Sequence, residues 1–532
     1  MSQLNQLFRS PYLFLVIVLI GVSLKFYKIN QQFFWDDEVC TVLHTSGVPM
    51  SQYEKEIPVN QILHKKYFDD LLKLNDRGLK ISDQFVGLME MPQVTPGHYY
   101  YFIFLTRIFG DDYRVFRYFS LVAFLLSVPI LFFLTKKIFN SGLAGWIAIS
   151  FYTVSPFFQE YAQEARYYTL WAFAVILMHY LFLMALEKQA VKWWMLYVFF
   201  GFFAIHTTIL VFITLLAHFI YGLIYYRALW KKIVLSQFII FLTSVPWLIF
   251  IFINREDIIQ SLAWQKIGSW SDLSVFDLLL IHINHTIDSF TYFFNLGVGE
   301  FWQTAGRWFY GILMGLAVIV FFRRAEAKPK LFVGLIAFLG VAVLIAMDLI
   351  RSSGSSDLSR YLLFNFIGFY VLVSFSLKRA LVKWPMVFGC VFLIVIALGI
   401  TSSLKEANDV ADGKRADAYY HVKDAAERFS GNEHILIISD FKVVSPHWYT
   451  AFLSLMRISK NENIDVIYAK PEYPDFKKDF DLKSYDTVYA MYLSDSLLND
   501  LKTNFNAHEL TEVEKRVMYN YFDVSVYQIQ RP

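Results

Sequence analysis

Long apolar runs recur along this chain, and they constrain what it can fold into more than any other feature. Read against the length needed to cross a hydrocarbon layer, they fall near residues 11–27, 116–135, 141–157, 167–186, 193–208, 210–226, 233–252, 308–322, 331–348, 361–377 and 385–402. Backbone groups in lipid must pair within their own segment, so each run is expected to be a helix. The expectation is an all-α polytopic membrane protein with about eleven transmembrane helices. Only His206, Thr207 and Thr208 separate the fifth span from the sixth. Composition agrees, since 56% of the 532 residues are hydrophobic and only 17% charged, which excludes an ordinary soluble globule. The formal net charge of +3 selects no partner, and nothing points to nucleic acid. Cys40 and Cys390 match neither zinc nor redox spacing.

The basic residues test this count, because short cytoplasmic connections hold the excess of Lys and Arg. Arg9, then Lys136 and Lys137, Lys188 and Lys192, Arg227, Lys231 and Lys232, Arg323 to Lys330, and Lys378, Arg379 and Lys383 occupy alternate connections. With the N-terminus cytoplasmic, the opposite face receives 28–115, 158–166, 254–307, 349–360 and the C-terminal region. The location this implies is a bacterial-type inner (plasma) membrane. The run at Pro11 lacks a small-residue cleavage site and is read as a retained first helix.

Two outer connections are too long for plain loops and carry apolar residues at helical intervals. In the first, Tyr53, Ile57, Ile62, Leu63, Tyr67, Leu71, Leu72 and Leu74 alternate with Lys55, Lys65, Lys66, Asp69, Asp70 and Lys73. The second holds Trp264, Trp270, Phe276, Leu278, Leu279 and Leu280. Both are expected as outer-face amphipathic helices lying in the membrane interface. From residue 403 charged residues and turn formers return. Residues 1–402 are therefore assigned to the transmembrane domain and 403–532 to a small extracytoplasmic α/β domain. Its predicted strands lie at Ile435–Ser439, Asp465–Ala469, Thr487–Leu493 and Phe522–Ile529, and its helices at 418–429, 446–458 and 495–504.

Polar chemistry concentrates on the outer face. The run Trp35-Asp36-Asp37-Glu38 follows the first span, where ionised acids must meet water, a headgroup or a ligand. A polar loop is the plain alternative. Ser155 and Pro156 form a helix start, and continuation of that helix would align Glu160, Glu164 and Tyr167 on one face and Gln159, Gln163 and Arg166 on the next. His98 opens an aromatic helix after Thr95-Pro96-Gly97. Arg351, and Arg360 beside Tyr361, flank an outer connection, and arginine at such a place is either an interface anchor or a phosphate clamp.

These segments resemble the GT-C membrane glycosyltransferases, in particular the branch of protein O-mannosyltransferases and lipid A aminoarabinose transferases (glycosyltransferase families 39 and 83). The resemblance rests on Asp37-Glu38, Thr95-Pro96-Gly97-His98-Tyr99-Tyr100, Phe109-Gly110-Asp111, Phe116-Arg117-Tyr118-Phe119-Ser120, Tyr161-Ala162-Gln163-Glu164-Ala165-Arg166-Tyr167-Tyr168 and Ser359-Arg360-Tyr361. It runs through residues 30 to 230, and this chain has Thr-Pro-Gly-His where the family usually has His-Pro-Pro. The resemblance implies inverting transfer of one sugar from a polyprenyl-phosphate donor, such as an undecaprenyl phosphate, to a lipid, glycan or protein acceptor. Asp37 would be the general base, and Arg166 and Arg360 would stabilise the departing phosphate, with Arg351 and Lys266 in reserve. Glu38, His98, Gln163, Glu164, Tyr167 and Tyr361 complete the expected substrate-binding set. No cofactor is required; a divalent metal would suit clustered acids, but adjacent residues seldom converge on one ion, and no metal ligand is assigned. The alternative is a polytopic lipid or sugar transporter or flippase. Span interiors that lack Asp, Glu, Lys and Arg, leaving only His179 and His218, count against ion-coupled transport.

Overall fold

The computed structural model describes residues 8, 10–45, 57–73, 95–110, 112–261, 273–412, 420–440, 446–470, 472–505, 510–518 and 522–530. Arg9, Tyr53, Lys55, Leu74, Asp111, Trp264, Lys266 and Trp270 lie outside them. The chain divides into two compact units. One comprises Met1–Ile29, Met91–His98 and Phe116–Asn408; the other comprises Asn30–Glu90, Tyr99–Val115 and Asp409–Pro532.

In the first unit each apolar run coincides with a helix: Pro11–Leu24, Arg114–Phe139, Gly142–Val154, Tyr168–Lys188, Val191–Thr207, Val211–Tyr225, Trp230–Ile253, Glu300–Arg324, Ala327–Arg351, Leu363–Lys383 and Pro385–Ala411. Among the described residues eight helices, taken with their flanking turns, are long and apolar enough to cross a membrane, and the chain is a multi-pass membrane protein. Thr208, in extended conformation, ends the fifth helix, so the polar interruption at 206–208 does divide that apolar stretch. Helices begin where serine caps a backbone N–H: Ser10 takes Tyr12 N and Ser141 takes Ala144 N. Phe238, Leu242, Ile249 and Phe252 remain exposed along the Trp230–Ile253 helix, as a lipid-facing flank requires.

The basic connections meet at one end of this unit. Lys137 pairs with Glu187, Lys232 Nζ reaches Gln189 O at 3.5 Å, and Lys328 lies 4.6 Å from the Tyr226 ring. Inside the bundle His179 and His218 pair with each other (2.8 Å), and Tyr197 OH meets His218 Nδ1 at 2.9 Å. Two histidines that would be costly alone in hydrocarbon thereby hold three helices together.

Small residues let backbones approach. A Cβ at Gly368 would lie 2.6 Å from Ala337 N and 2.7 Å from its Cα, and Asn365 Nδ2 donates to Ala337 O at 2.9 Å. This joins Leu363–Lys383 to Ala327–Arg351 without side-chain padding.

The second unit contains a six-stranded sheet in the order β1–β3–β2–β4–β6–β5, with β1 at Ile62–His64, β2 at Ile435–Ser439, β3 at Ile464–Tyr468, β4 at Thr487–Met491, β5 at Leu510–Met518 and β6 at Phe522–Ile529. β3, β2 and β4 are parallel, and β1 and β6 join them antiparallel. Every residue of β2 is buried, the pattern of a central parallel strand covered on both faces. Two strands depart from expectation. Ile62–His64 is an edge strand with Leu63 opposite Val466, not part of an amphipathic helix, because Leu63 is buried while Ile62 and His64 are exposed: the period is two, not 3.6. The helix after it is only Lys65–Leu71, capped by His64. β5 is the opposite edge, and its sequence, rich in Glu, Lys and Arg, does not read as a strand. In the second long connection, Val275–Asp288 is helical, with a Ser274/Asp277 capping box, buried Leu278 and His282 and exposed Phe276, Leu279 and Leu280.

The Pro446–Ile458 helix gathers the remaining elements of this unit, packing against Asp36–Thr45, Lys65–Leu71 and Tyr420–Arg428. Phe68 meets Phe452 edge-on at 5.2 Å, and buried Lys65 donates to Ser459 O (2.9 Å) and Glu462 Oε1 (2.8 Å).

Gly368→Val is expected to lose about 1–3 kcal/mol through overpacking, read as a lower melting temperature of the detergent-solubilised protein. Gly315→Ala, where an added Cβ meets nothing within 4 Å, should leave it unchanged.

Candidate active site

The acidic run is the first turn of the Asp36–Thr45 helix. Trp35 O accepts from Glu38 N (2.9 Å) and Val39 N (3.0 Å), so all three carboxylates stand at the positive end of the helix dipole. That explains why three acids can be adjacent here. Their exposures differ: Asp36 is 7% exposed and Glu38 1%, whereas Asp37 is half-buried. Asp36 Oδ1 accepts from Thr450 Oγ1 at 2.5 Å.

Within the first unit a buried polar network surrounds the Pro156–Ala162 helix. Ser155 caps it by accepting from Phe158 N, and Ser155 Oγ donates to Ser289 O at 2.7 Å. Tyr370 OH donates to the same carbonyl at 2.9 Å. Lys25, fully buried, places its ammonium 3.1 Å from both Ser155 O and Gln159 Oε1. Gln159 Nε2 returns a bond to Leu24 O (2.9 Å), and Gln163 Nε2 donates to Lys25 O (2.9 Å) and Tyr27 O (2.7 Å). The two glutamines thus stitch the end of the first helix to the polar motif.

The helix expected to run through Tyr167 stops at Ala162, so Glu160 and Glu164 do not share a helical face. Residues 163–167 form a turn in which Arg166 N donates to Glu164 O (2.8 Å) and Ser120 Oγ to Arg166 O (2.9 Å). Tertiary hydrogen bonds replace the helical ones. The Arg166 guanidinium lies 5.7 Å from the Tyr167 ring and 6.0 Å from the Tyr168 ring, and fully buried His98 sits 4.7 Å from the Tyr167 ring. His98, Arg166 and Tyr167 are thereby brought together, with Gln163 and nearly buried Glu164 in the same turn. Gly97 explains the departure from the usual prolines, since any Cβ there would strike the His206 backbone. Arg360 and Tyr361 form their own pair, 5.9 Å apart in a 3-10 turn at Ser359–Leu362. Arg351 closes the preceding helix.

Several groups escaped the sequence reading. Lys25 lies inside the expected first span, 11–27, and has no role in that reading. Asp348 accepts from Ser353 Oγ, Ser355 N and Ser356 N at 2.7–2.9 Å, organising the turn that meets His282 Nε2 through Ser356 Oγ at 3.0 Å. Asp288 ends the Val275–Asp288 helix 3.5 Å from Arg307, and burial pushes its carboxyl up to about 7 against the pull of that guanidinium. Nearby Tyr292 OH donates to Glu160 Oε2 at 3.3 Å. Among the described residues no three His, Cys, Asp or Glu side chains are grouped as a metal ion needs.

The fold, a helical bundle with a polar network at the helix ends accompanied by a mixed α/β unit, is similar to that of solved GT-C glycosyltransferases, and part of the chain matches a glycosyltransferase family model. Residues 93–251 match the family model of dolichyl-phosphate-mannose-protein mannosyltransferases. The whole chain is similar in structure to ArnT from Cupriavidus metallidurans bound to undecaprenyl phosphate, with a TM-score of 0.54, 13% identity and 97% of each chain covered. Its apo state gives 0.53 at the same identity and coverage. The archaeal oligosaccharyltransferase AglB from Archaeoglobus fulgidus, in complex with an inhibitory peptide and a dolichol-phosphate, matches at 0.44, with 10% identity over 90% of this chain and 69% of that one. No curated protein matches the chain by sequence.

The raised Asp288 carboxyl carries a sign. The folded chain holds this proton more tightly than the unfolded one, so the contribution of Asp288 to stability falls as pH rises from the ordinary 3.8 through about 7. Asp288→Asn should remove that decline. Melting temperatures over this range should show the variant gaining on the wild type as pH rises; parallel curves would contradict it.

Proposed function

We propose that this chain transfers one sugar from a polyprenyl-phosphate carrier to an acceptor hydroxyl or amine by a single inverting displacement with Asp37 as general base. The observation that carries the choice of base is the difference in exposure within the acidic turn. Asp36 and Glu38 are buried, and Asp37 alone of the three is half-open. A base must reach the proton that it removes.

In this reading the acceptor heteroatom attacks the anomeric carbon as its proton passes to Asp37, and the bond from that carbon to the phosphate oxygen breaks. The departing phosphate gains negative charge, which a fixed guanidinium stabilises. Arg166 fits because its two tyrosine neighbours and the Ser120 bond to its backbone limit its freedom before the donor arrives. Arg360 serves as the second cation. Gln163, Glu164, His98, Tyr167, Glu38 and Tyr361 hold sugar hydroxyls or orient the guanidiniums. The fold shared with ArnT, whose structure holds undecaprenyl phosphate, and the mannosyltransferase model matched at 93–251 both support a lipid-phosphate donor.

The gathering of the basic connections at one end supports a cytoplasmic assignment for that end. Chemistry would then occur at the other end, on the extracytoplasmic face of a bacterial-type plasma membrane. The N-terminus would be cytoplasmic and the domain at 403–532 extracytoplasmic.

Asp37→Asn should reduce transfer by about 10²–10⁴-fold while the protein accumulates normally in membranes, measured as release of free polyprenyl phosphate from its sugar-linked form. Full activity of that variant would refute the assignment. Arg166→Ala removes a charge-assisted contact worth about 1.5–3 kcal/mol and should lower kcat/KM for the donor roughly 10- to 100-fold. A change confined to the acceptor KM would speak against its phosphate role.

A further inference from the structure

The second unit contains a clamp on the acidic turn. Thr450 and Ser454 stand one helical turn apart on the Pro446–Ile458 helix, and both are buried, at 1% and 0% exposure. Thr450 Oγ1 donates to Asp36 Oδ1 at 2.5 Å, and Ser454 Oγ donates to Phe34 O. The two hydroxyls thus grip the chain on either side of Trp35, where it enters the Asp36–Thr45 helix. Phe34 is itself fixed, 1% exposed with its ring 4.3 Å from that of Tyr113.

We infer that Thr450 is a positioning residue for Asp37, acting through Asp36, and that the C-terminal α/β region thereby sets the alignment of the catalytic carboxylate. This rests on the reading of Asp37 as the base. A helix allows one rotation about its axis once two points on its entering strand are pinned. Asp36 and Asp37 are consecutive, so their side chains leave the helix about 100° apart. Holding the Asp36 carboxylate therefore fixes the direction in which Asp37 points. Asp36 is the member of the run for which the base chemistry has no use, and its burial against a hydroxyl gives it a separate task. The bond also takes a buried carboxylate oxygen out of competition for the acceptor proton, leaving the half-open neighbour to take it.

Thr450→Val keeps the shape of the side chain and removes the donor. With the polyprenyl-phosphate sugar that the wild type consumes as probe, this variant should lose about ten- to a hundred-fold in kcat, as a small misplacement of a catalytic group does, with the donor KM unchanged. Thr450→Ser restores the hydroxyl and should recover kcat to within about threefold of the wild type. Wild-type kcat in Thr450→Val overturns the inference, as does an equal loss in Thr450→Ser. If Thr450→Val does not accumulate, Ser454→Ala reads the same clamp through its backbone arm, and unaltered kcat there overturns the inference too. Asp37→Asn, run in parallel, separates the two claims. Activity in that variant removes the base assignment itself; inactivity together with a fully active Thr450→Val removes only the clamp.

Discussion

An unpaired polar group is costly in hydrocarbon, and the organisation of this protein follows from that constraint. Each apolar run forms a helix because a helix alone satisfies its own backbone. Some polar side chains that remain within the bundle find partners in one another, as His179, His218 and Tyr197 do. The charged side chains of the bundle are displaced to the helix ends. There Lys25, the two glutamines of the polar motif and Ser155 close a network in which each element satisfies another. Removing one partner leaves a buried polar group unsatisfied, which costs about 1–3 kcal/mol, more than the bond itself contributes. The network therefore fixes the end of the first helix against the Pro156–Ala162 segment.

The same physics decided what could be read from sequence. Apolar length and the alternation of Lys and Arg mark the helices because they report directly on solvent. Even the division at Thr208 was visible, as a short polar interruption. β1 was hidden because three residues, of which only Leu63 is buried, cannot outweigh a surrounding helical pattern of lysines and leucines. β5 was hidden by its charge, which disguises a strand. The turn at 163–167 follows from bonds to Ser120, Lys25 and Tyr27, residues far away in sequence. Local spacing carries no trace of such partners. The candidate residues themselves were legible as types, but the burial of Asp36 and Glu38 beside a half-open Asp37 was not.

The acidic turn joins these themes. Three adjacent carboxylates repel one another, and the N-terminus of a helix is a place where that repulsion is offset by oriented backbone dipoles, with typically 0.3–1 kcal/mol for each charge. Burial then divides the labour. Asp36 is turned to a threonine hydroxyl, Glu38 is enclosed, and Asp37 stays half-open. Arg166, beside two tyrosine rings in a turn braced by Ser120, is likewise constrained by its neighbours. In both places neighbouring residues fix a charged group; in the proposed reaction less ordering would then be left to the moment of transfer.

Transfer from a lipid-phosphate carrier is tested most directly by mass spectrometry of the polyprenyl-phosphate sugars and glycoconjugates of cells with and without this protein. Loss of the protein should cause one polyprenyl-phosphate sugar to accumulate, and one lipid, glycan or protein should become lighter by the mass of that same sugar. Unchanged profiles in cells that make both donor and acceptor would contradict the transferase reading.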